Sequence, residues 1–486
     1  MRPSGVDRDV KVLLLASLGV LVAAAQQLSF PHIVVIFQEN RTPDNLFQGL
    51  CSPPFGSAAS CSTTPSTTPN SSQYNIQTQN WLDKRSATGL TQPLTVPLAN
   101  TYDLSHAHSA FVAQCDMDPI TGACRMDGSA GVTCSGTCLS QPQFRYVDNS
   151  DGTVTPYLQL ATQYGWANYM FQTNQGPSFP AHQFIFGGTS SPTAADDAAG
   201  TYASENMSGT NAVAGCIALA DTTVEVINPS GENKKIYPCF ERFTLADLLL
   251  GPITWRYYTP GAGSIWSAPD AIQHICQSTG AGGKCTGSDW TNNVDLTPAD
   301  VLTDIAACKL RSISWVIPTG VNSDHAESND GGGPSWVTSI VNAIGNSTKC
   351  DNNSGYWNNT AIVITWDDWG GWYDHERPTI LPLPQGDYQY GFRVPMIFVS
   401  AYTPVGYIDN QRHDFGSILR FIEHNFGIPE GFLNFADSRS TTDLTNFYDT
   451  TQPPRPYQTI EAPKKADFFL HDKRKPTPPD DDGDDR

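Results

Sequence analysis

Two apolar, β-branched runs in this chain each end abruptly in oxygen-bearing side chains. Ile33-Val34-Val35-Ile36-Phe37 gives way to Gln38-Glu39-Asn40-Arg41-Thr42, and Ala361-Ile362-Val363-Ile364-Thr365-Trp366 gives way to Asp367-Asp368. Runs of this kind predict strands buried on both faces, as in a parallel sheet. Further buried strands are expected over 253–258, 312–317 and 394–400, and helices over 158–164, 336–344 and 415–426, with a short helix within 269–276. Strands alternating with helices and long loops imply an α/β sandwich with a mostly parallel sheet. Ligands of such sheets bind beyond the carboxyl ends of the strands. Glu39, Asn40, Asp367 and Asp368 are therefore expected at one edge. Three carboxylates and an amide in one place repel each other unless a hard cation sits among them.

Composition narrows the picture. The chain has 486 residues, a length that admits more than one domain but also suits one large α/β domain. Its 11 Trp, 18 Tyr and 22 Phe suffice for a sizeable core. A net charge of −20 without any basic stripe disfavours nucleic acid as a partner. An acidic protein acting on phosphates needs a local cation to offset its own field.

The N-terminus, with Arg2, Arg8 and Lys11 before the apolar run 12–25 and Ala23-Ala24-Ala25, predicts a signal peptide over 1–25. An uncleaved anchor is the rival reading. Export to the periplasm or outside the cell agrees with twelve cysteines, an even count. Near-neighbour pairing is expected: Cys51 with Cys61, Cys115 with Cys124, Cys134 with Cys138, Cys216 with Cys239, Cys276 with Cys285, and Cys308 with Cys350. Residues 51–75, 115–155, 186–235 and 260–300 are rich in Gly, Ser, Thr, Pro or Asp and predict long loops. The body is taken as 26–472, followed by an acidic disordered tail over 473–486.

Candidate chemistry centres on a few residues. Ser178 lies in Gln175-Gly-Pro-Ser-Phe-Pro-Ala-His182, where Gly and Pro predict a turn that presents the hydroxyl on an exposed elbow. Beside a divalent ion such a hydroxyl becomes a nucleophile. No Gly-x-Ser-x-Gly occurs, which argues against a Ser-His-Asp acyl hydrolase, and neither Cys-x-x-Cys nor His-Glu-x-x-His marks a zinc site. His106, His108, His274, His325 and His375 stand in polar contexts. Taken singly each is an ordinary capping or surface residue. As a set around a metal they suit binding of phosphoryl oxygens and protonation of a leaving group.

These stretches resemble a bacterial phosphoesterase family that holds non-specific phospholipases C and a secreted acid phosphatase, within the alkaline phosphatase/sulfatase superfamily. The resemblance is carried by Gln38-Glu-Asn-Arg-Thr-Pro-Asp-Asn-Leu-Phe-Gln-Gly49, Asp103-Leu-Ser-His106, Met126-Asp-Gly128, Gly176-Pro-Ser-Phe-Pro180 and Ser323-Asp-His325. Thr365-Trp-Asp-Asp-Trp-Gly-Gly-Trp-Tyr-Asp-His375, Gly391-Phe-Arg-Val-Pro395 and Phe415-Gly-Ser-Ile-Leu419 complete it. It implies an alkaline-phosphatase-like α/β/α sandwich with long disulfide-stapled loops. It also implies one divalent metal on Glu39, Asn40, Asp367, Asp368 and Ser178, with Ser178 as nucleophile. His106, His274 and His325 would contact the phosphate or protonate the leaving group. Thr42 stands where the family has Ser, and Trp369 where it has His.

The expected function is a secreted metal-dependent phosphoric-ester hydrolase, phospholipase C-like, passing through a phosphoserine. Oxygen ligands favour Ca²⁺, Mg²⁺ or Mn²⁺. The expected partners are a phosphoester or phospholipid substrate and, transiently, a membrane surface. Trp366, Trp369, Trp372 and Tyr373 suit either a choline pocket or core packing. An acid phosphatase acting on monoesters, a sulfatase and a non-catalytic secreted metal-binding protein are the alternatives.

Overall fold

The computed structural model describes residues 30–66, 73–209, 213–383, 386–433 and 435–475. The expected signal peptide, and the acidic tail beyond residue 475, lie outside the described residues. An eight-stranded sheet organises the molecule. Its strands in chain order are β1 His32–Gln38, β2 Gly165–Phe171, β3 Trp255–Tyr258, β4 Val294–Asp295, β5 Ile313–Val316, β6 Thr360–Trp366, β7 Met396–Val399 and β8 Tyr407–Asp414. They lie in the order β4-β3-β5-β1-β6-β7-β2-β8. Only β7 runs against the others: it pairs antiparallel with β6 and β2, while the remaining pairs are parallel. This is the mixed α/β sandwich expected.

The two central strands are the two apolar runs. Register sets Gln38 beside Trp366 and Phe37 beside Thr365. Side chains alternate along a strand, so Phe37 and Trp366 face opposite sides of the sheet. Phe37 meets His182 and Phe415, with ring centroids 6.1 and 6.4 Å away, on the helices α2 Ser178–Gly187 and α4 Phe415–Phe426. Trp366 meets Tyr157 at 5.2 Å on α1 Thr155–Gln163, against which α3 Gly333–Gly345 packs. Helices thus cover both faces, and every residue of β6 is buried.

Three strands are not expected from the sequence: β4 is an edge strand of two residues in a stretch that reads as loop. β2, with Gly165 and Asn168 inside it, lacks an unbroken apolar run, and β8 is an edge strand rich in polar residues (Tyr-Ile-Asp-Asn-Gln-Arg-His-Asp). Helix α2 was also not foreseen, because Pro180 and Gly187 obscure its period.

All six expected disulfides are present, and each joins a cysteine to the next one in the chain, across separations of 4 to 42 residues. Among the described residues no helix is long and apolar enough to cross a membrane. Truncation at the sheet centre tests the packing. Ile364 is fully buried between Ile36 and Ile397. Ile364→Ala should lower the unfolding free energy in urea by about 2–5 kcal/mol; a loss well under about 1 kcal/mol would show that the site can collapse.

Candidate functional site

The carboxyl ends of β1 and β6 adjoin, and the polar residues after them meet. The Asp367 amide donates to the Gln38 carbonyl at 3.0 Å, which extends the strand pairing by one step. Beyond it the Asn40 amide donates to Asp367 Oδ1 at 3.2 Å. Asn40 sits at φ 60°, a left-handed conformation that asparagine tolerates better than most residues. Gly370, at φ 61°, passes so close that a Cβ there would lie 2.4 Å from the Asn40 carbonyl oxygen. The Gly370-Gly371 pair is what lets the β6 loop cross the β1 loop.

Asp368 does two things. Its Oδ1 accepts from the Gly370 amide at 2.7 Å, the turn-capping role open to any aspartate before Gly-Gly. Its Oδ2 accepts from Ser178 Oγ at 3.2 Å. Ser178 is the first residue of α2 and fully buried, not on the exposed elbow expected. Gly176 permits its approach, since a Cβ there would lie 2.1 Å from the Ser204 carbonyl oxygen. Asn174 Nδ2 ties the turn by donating to the carbonyls of Gly176 and Pro177 at 2.7 and 3.2 Å.

Three histidines surround these groups, and the tautomer of each follows from its partners. His106 Nδ1 lies 2.9 Å from the Leu104 carbonyl, which only accepts, so Nδ1 carries the hydrogen. Its Nε2 then accepts from Asn40 Nδ2 at 3.0 Å. The Asn40 amide is thereby oriented, with Oδ1 turned to the other side. His325 Nδ1 donates to the Ala326 carbonyl at 2.7 Å, and its ring stands 5.8 Å from that of His106. The His325 loop is held through Asp324, whose Oδ2 accepts from Tyr157 Oη and Trp366 Nε1 at 2.8 and 3.0 Å; burial lifts the Asp324 carboxyl to about 6.

The third histidine is His182, which the sequence reading quoted but gave no role. Tyr257 Oη donates to the Trp266 carbonyl at 2.8 Å, so His182 Nδ1, 3.3 Å away, must donate to that hydroxyl. Its Nε2 is left as a lone pair, 3.4 Å from Glu39 Oε1 and 3.6 Å from Asp367 Oδ2. Burial pushes His182 down to about 4 despite the pull of Asp367, which keeps the ring neutral near neutral pH. One signal was available in the sequence: Ser178 and His182 are four apart, and a helix sets such residues on one face.

Glu39, His182 and Asp367 place one ligand atom each within 4.8 Å of one another. Asn40 Oδ1, Asp367 Oδ2 and His182 Nε2 are buried without a hydrogen bond. Buried oxygen and nitrogen lone pairs left unmatched in this way fit a divalent cation. A second acidic group, Asp44, Asp374 and His375, does not ask for one. Arg393 grips Asp374 at 2.9 and 3.0 Å, His375 Nδ1 reaches Asp44 at 2.7 Å, and His375 Nε2 meets Asn75 at 2.9 Å. It is a closed network.

The structure therefore brings together Glu39, Asn40, Asp367, Asp368, Ser178, His106 and His325, and adds His182. It does not bring His274 to them. His274 is clamped between Glu241 and Asp247, at 2.8 and 3.0 Å, on the wall of a separate cavity of about 1220 Å³. Its polar loop context is that of an ion pair. Trp366, Trp369, Trp372 and Tyr373 are fully buried, so they pack the interior and line no open headgroup pocket. Trp369 Nε1 donates to Gln114 at 3.0 Å. Thr42 Oγ1 donates to the Tyr373 carbonyl at 2.7 Å and caps the turn Pro43–Leu46.

The fold and site define an α/β protein with a carboxylate, serine and histidine centre at the carboxyl edge of its sheet. The chain belongs to the phosphoesterase family, whose model matches residues 30–429. It is 26% identical over 178 residues to phospholipase C A of Mycobacterium tuberculosis, covering 32% of this chain and 33% of that protein. It is 22% identical over 335 residues to hemolytic phospholipase C of Pseudomonas aeruginosa, covering 61% of this chain and 42% of that protein. The match thus spans about a third of the length of the first of these relatives. A solved protein of the alkaline phosphatase superfamily from Vibrio parahaemolyticus overlays at 11% identity, over 57% of this chain and 61% of that one, with a TM-score of 0.32, too loose to add weight.

The His274 clamp yields a pH signature. Burial pulls its pKa down, but the hydrogen bonds it donates to Asp247 and Glu241, with their negative charge, outweigh this and lift it from 6.5 to about 9. A histidine raised on folding stabilises fully below its unfolded pKa and loses that contribution as pH rises through the folded one. Relative to wild type, His274→Gln should be least stable below pH 6.5, with the gap closing towards about pH 9. Urea denaturation at several pH values reads this, and a gap that widens with pH would refute it.

Proposed function

We propose that this chain is a metal-dependent phosphoric-ester hydrolase of the phospholipase C type, with Ser178 as nucleophile. The observation that carries the reading is the Ser178 hydroxyl bonded to Asp368 beside buried, unmatched donors of Asn40 and Asp367. Glu39, Asn40, Asp367, Asp368 and Ser178 would hold one divalent ion. When bound, such an ion lowers the pKa of the serine hydroxyl and offsets charge on the phosphoryl oxygens.

The chain's own residues supply the rest. Asp368 Oδ2 orients Ser178 Oγ and is the nearest acceptor for its proton. The alkoxide attacks phosphorus in line, the ester oxygen leaves, and a phosphoserine forms; water then releases the phosphoryl group. Such transfers gain most from positioned charge around the equatorial oxygens. His106 acts through Asn40, whose amide it orients. His325 has its Nδ1 committed to a carbonyl, so the proton it would give the leaving group is the one on Nε2. The family match and the phospholipase C relatives support the ester class; the free energy of burying three carboxylates supports the cation.

Hydrolysis of p-nitrophenyl phosphate and p-nitrophenylphosphorylcholine, with and without chelator, tests this. Turnover of the choline ester that chelator removes and metal restores is the expected result. Preference for the monoester would mark an acid phosphatase instead. Ser178→Ala should lower kcat by several orders of magnitude while circular dichroism stays unchanged. Wild-type turnover in that variant would remove Ser178 from the mechanism, and failure of the wild type to hydrolyse either ester would leave a metal-binding protein.

A further inference from the structure

We propose that His182 Nε2 is a direct ligand of the site's metal ion, and that this nitrogen makes the site select a first-row transition ion over Ca²⁺ or Mg²⁺. The inference rests on the metal-dependent reading above and goes beyond the oxygen ligand set used there.

The geometry has three parts. First, the tautomer is fixed. Trp266 carbonyl accepts from Tyr257, and Tyr257 Oη accepts from His182 Nδ1, so Nε2 presents a lone pair. A metal-bound histidine ordinarily anchors its other nitrogen to a polar partner in this way. Second, that lone pair faces carboxylate oxygens of Glu39 and Asp367 at 3.4 and 3.6 Å. Charge-assisted hydrogen bonds between such groups run at about 2.7–2.9 Å, so a shared proton does not account for the spacing. Donors each 2.0–2.2 Å from a common ion at tetrahedral angles stand about 3.3–3.6 Å apart, which does. Third, neither His182 Nε2 nor Asp367 Oδ2 makes a hydrogen bond, and both residues are fully buried. Lone pairs aimed at one another in a dry interior are repulsive without a cation between them.

A nitrogen donor changes which ion fits. Ca²⁺ and Mg²⁺ take oxygen ligands almost throughout, whereas imidazole beside carboxylates suits Mn²⁺, Fe²⁺, Co²⁺ or Zn²⁺. His182 would discriminate by being a poor replacement for the water or carboxylate that a hard ion needs.

The test uses the purified full chain, stripped of metal and dialysed against equimolar Mn²⁺, Zn²⁺, Mg²⁺ and Ca²⁺, with metal content read by mass spectrometry. Wild type should retain one transition ion, and His182→Gln should bind Mn²⁺ at least tenfold more weakly and lose its preference over Mg²⁺. In the Mn²⁺-loaded wild type, pulsed electron paramagnetic resonance should show the ¹⁴N coupling of a directly bound imidazole, absent from His182→Gln. Tyr257→Phe keeps the imidazole but not its anchor; it should keep the ¹⁴N coupling and weaken Mn²⁺ binding by about 10–100-fold. If His182→Gln does not fold, wild type and Tyr257→Phe still decide. A wild type that binds one ion and hydrolyses an ester in a chelator-sensitive way, yet lacks the ¹⁴N coupling, overturns this inference alone. A wild type that binds no ion overturns it together with the functional reading.

Discussion

Like charges that cannot reach water govern this molecule. Glu39, Asp367 and Asp368 are fully buried, and they are buried together because β1 and β6 are parallel neighbours in register. Parallel pairing brings the two carboxyl ends level, so acidic residues placed just past each strand must meet. The low dielectric there magnifies their repulsion. Asp367 has no lysine or arginine partner among the described residues, so the cluster suits a cation supplied from outside the chain. The rest of the site gathers around it. Gly370-Gly371 lets the loops cross, Ser178 arrives on α2, and histidines orient the amide and face the carboxylates.

Asp44 and Asp374 show the other solution to the same problem. There Arg393 lies between the carboxylates, bidentate to Asp374, and the chain neutralises itself. The two clusters adjoin the same segments, since Asp44 follows Asn40 by four residues and Asp374 follows Asp368 by six. One is closed by the protein's own arginine; the other keeps buried lone pairs of Asn40, Asp367 and His182 without a hydrogen bond. Acidic content alone does not separate them. The difference lies in whether lone pairs remain unmatched.

Much of this was legible in the sequence. The unbroken runs before Glu39 and Asp367 announced central strands, and the strand-end rule then placed Glu39, Asn40, Asp367 and Asp368 together. Near-neighbour cysteines announced their own pairing. What was not legible depends on contacts between distant segments. Ser178 reads as an exposed turn because nothing local shows that the helix it opens is buried and that Asp368, 190 residues on, meets its hydroxyl. His274 reads as one polar histidine among several; only the approach of Glu241 and Asp247 makes it an ion-pair residue. His182 lies in an apolar stretch, where a histidine reads as core, and its role depends on Tyr257 and Trp266, more than seventy positions on. β2 and β8 were missed because an edge and its neighbour need no continuous apolar run.

The disulfides carry a consequence for how the chain is made. Every bridge closes on the next cysteine along, so no bridge requires a cysteine to wait while others emerge and pass it. A chain delivered from its N-terminus can oxidise in strict order of appearance and never hold a pairing that must later be undone. None of the bridged cysteines lies within the eight strands, so the sheet itself carries no covalent tie, and the bridges fasten the segments packed around it.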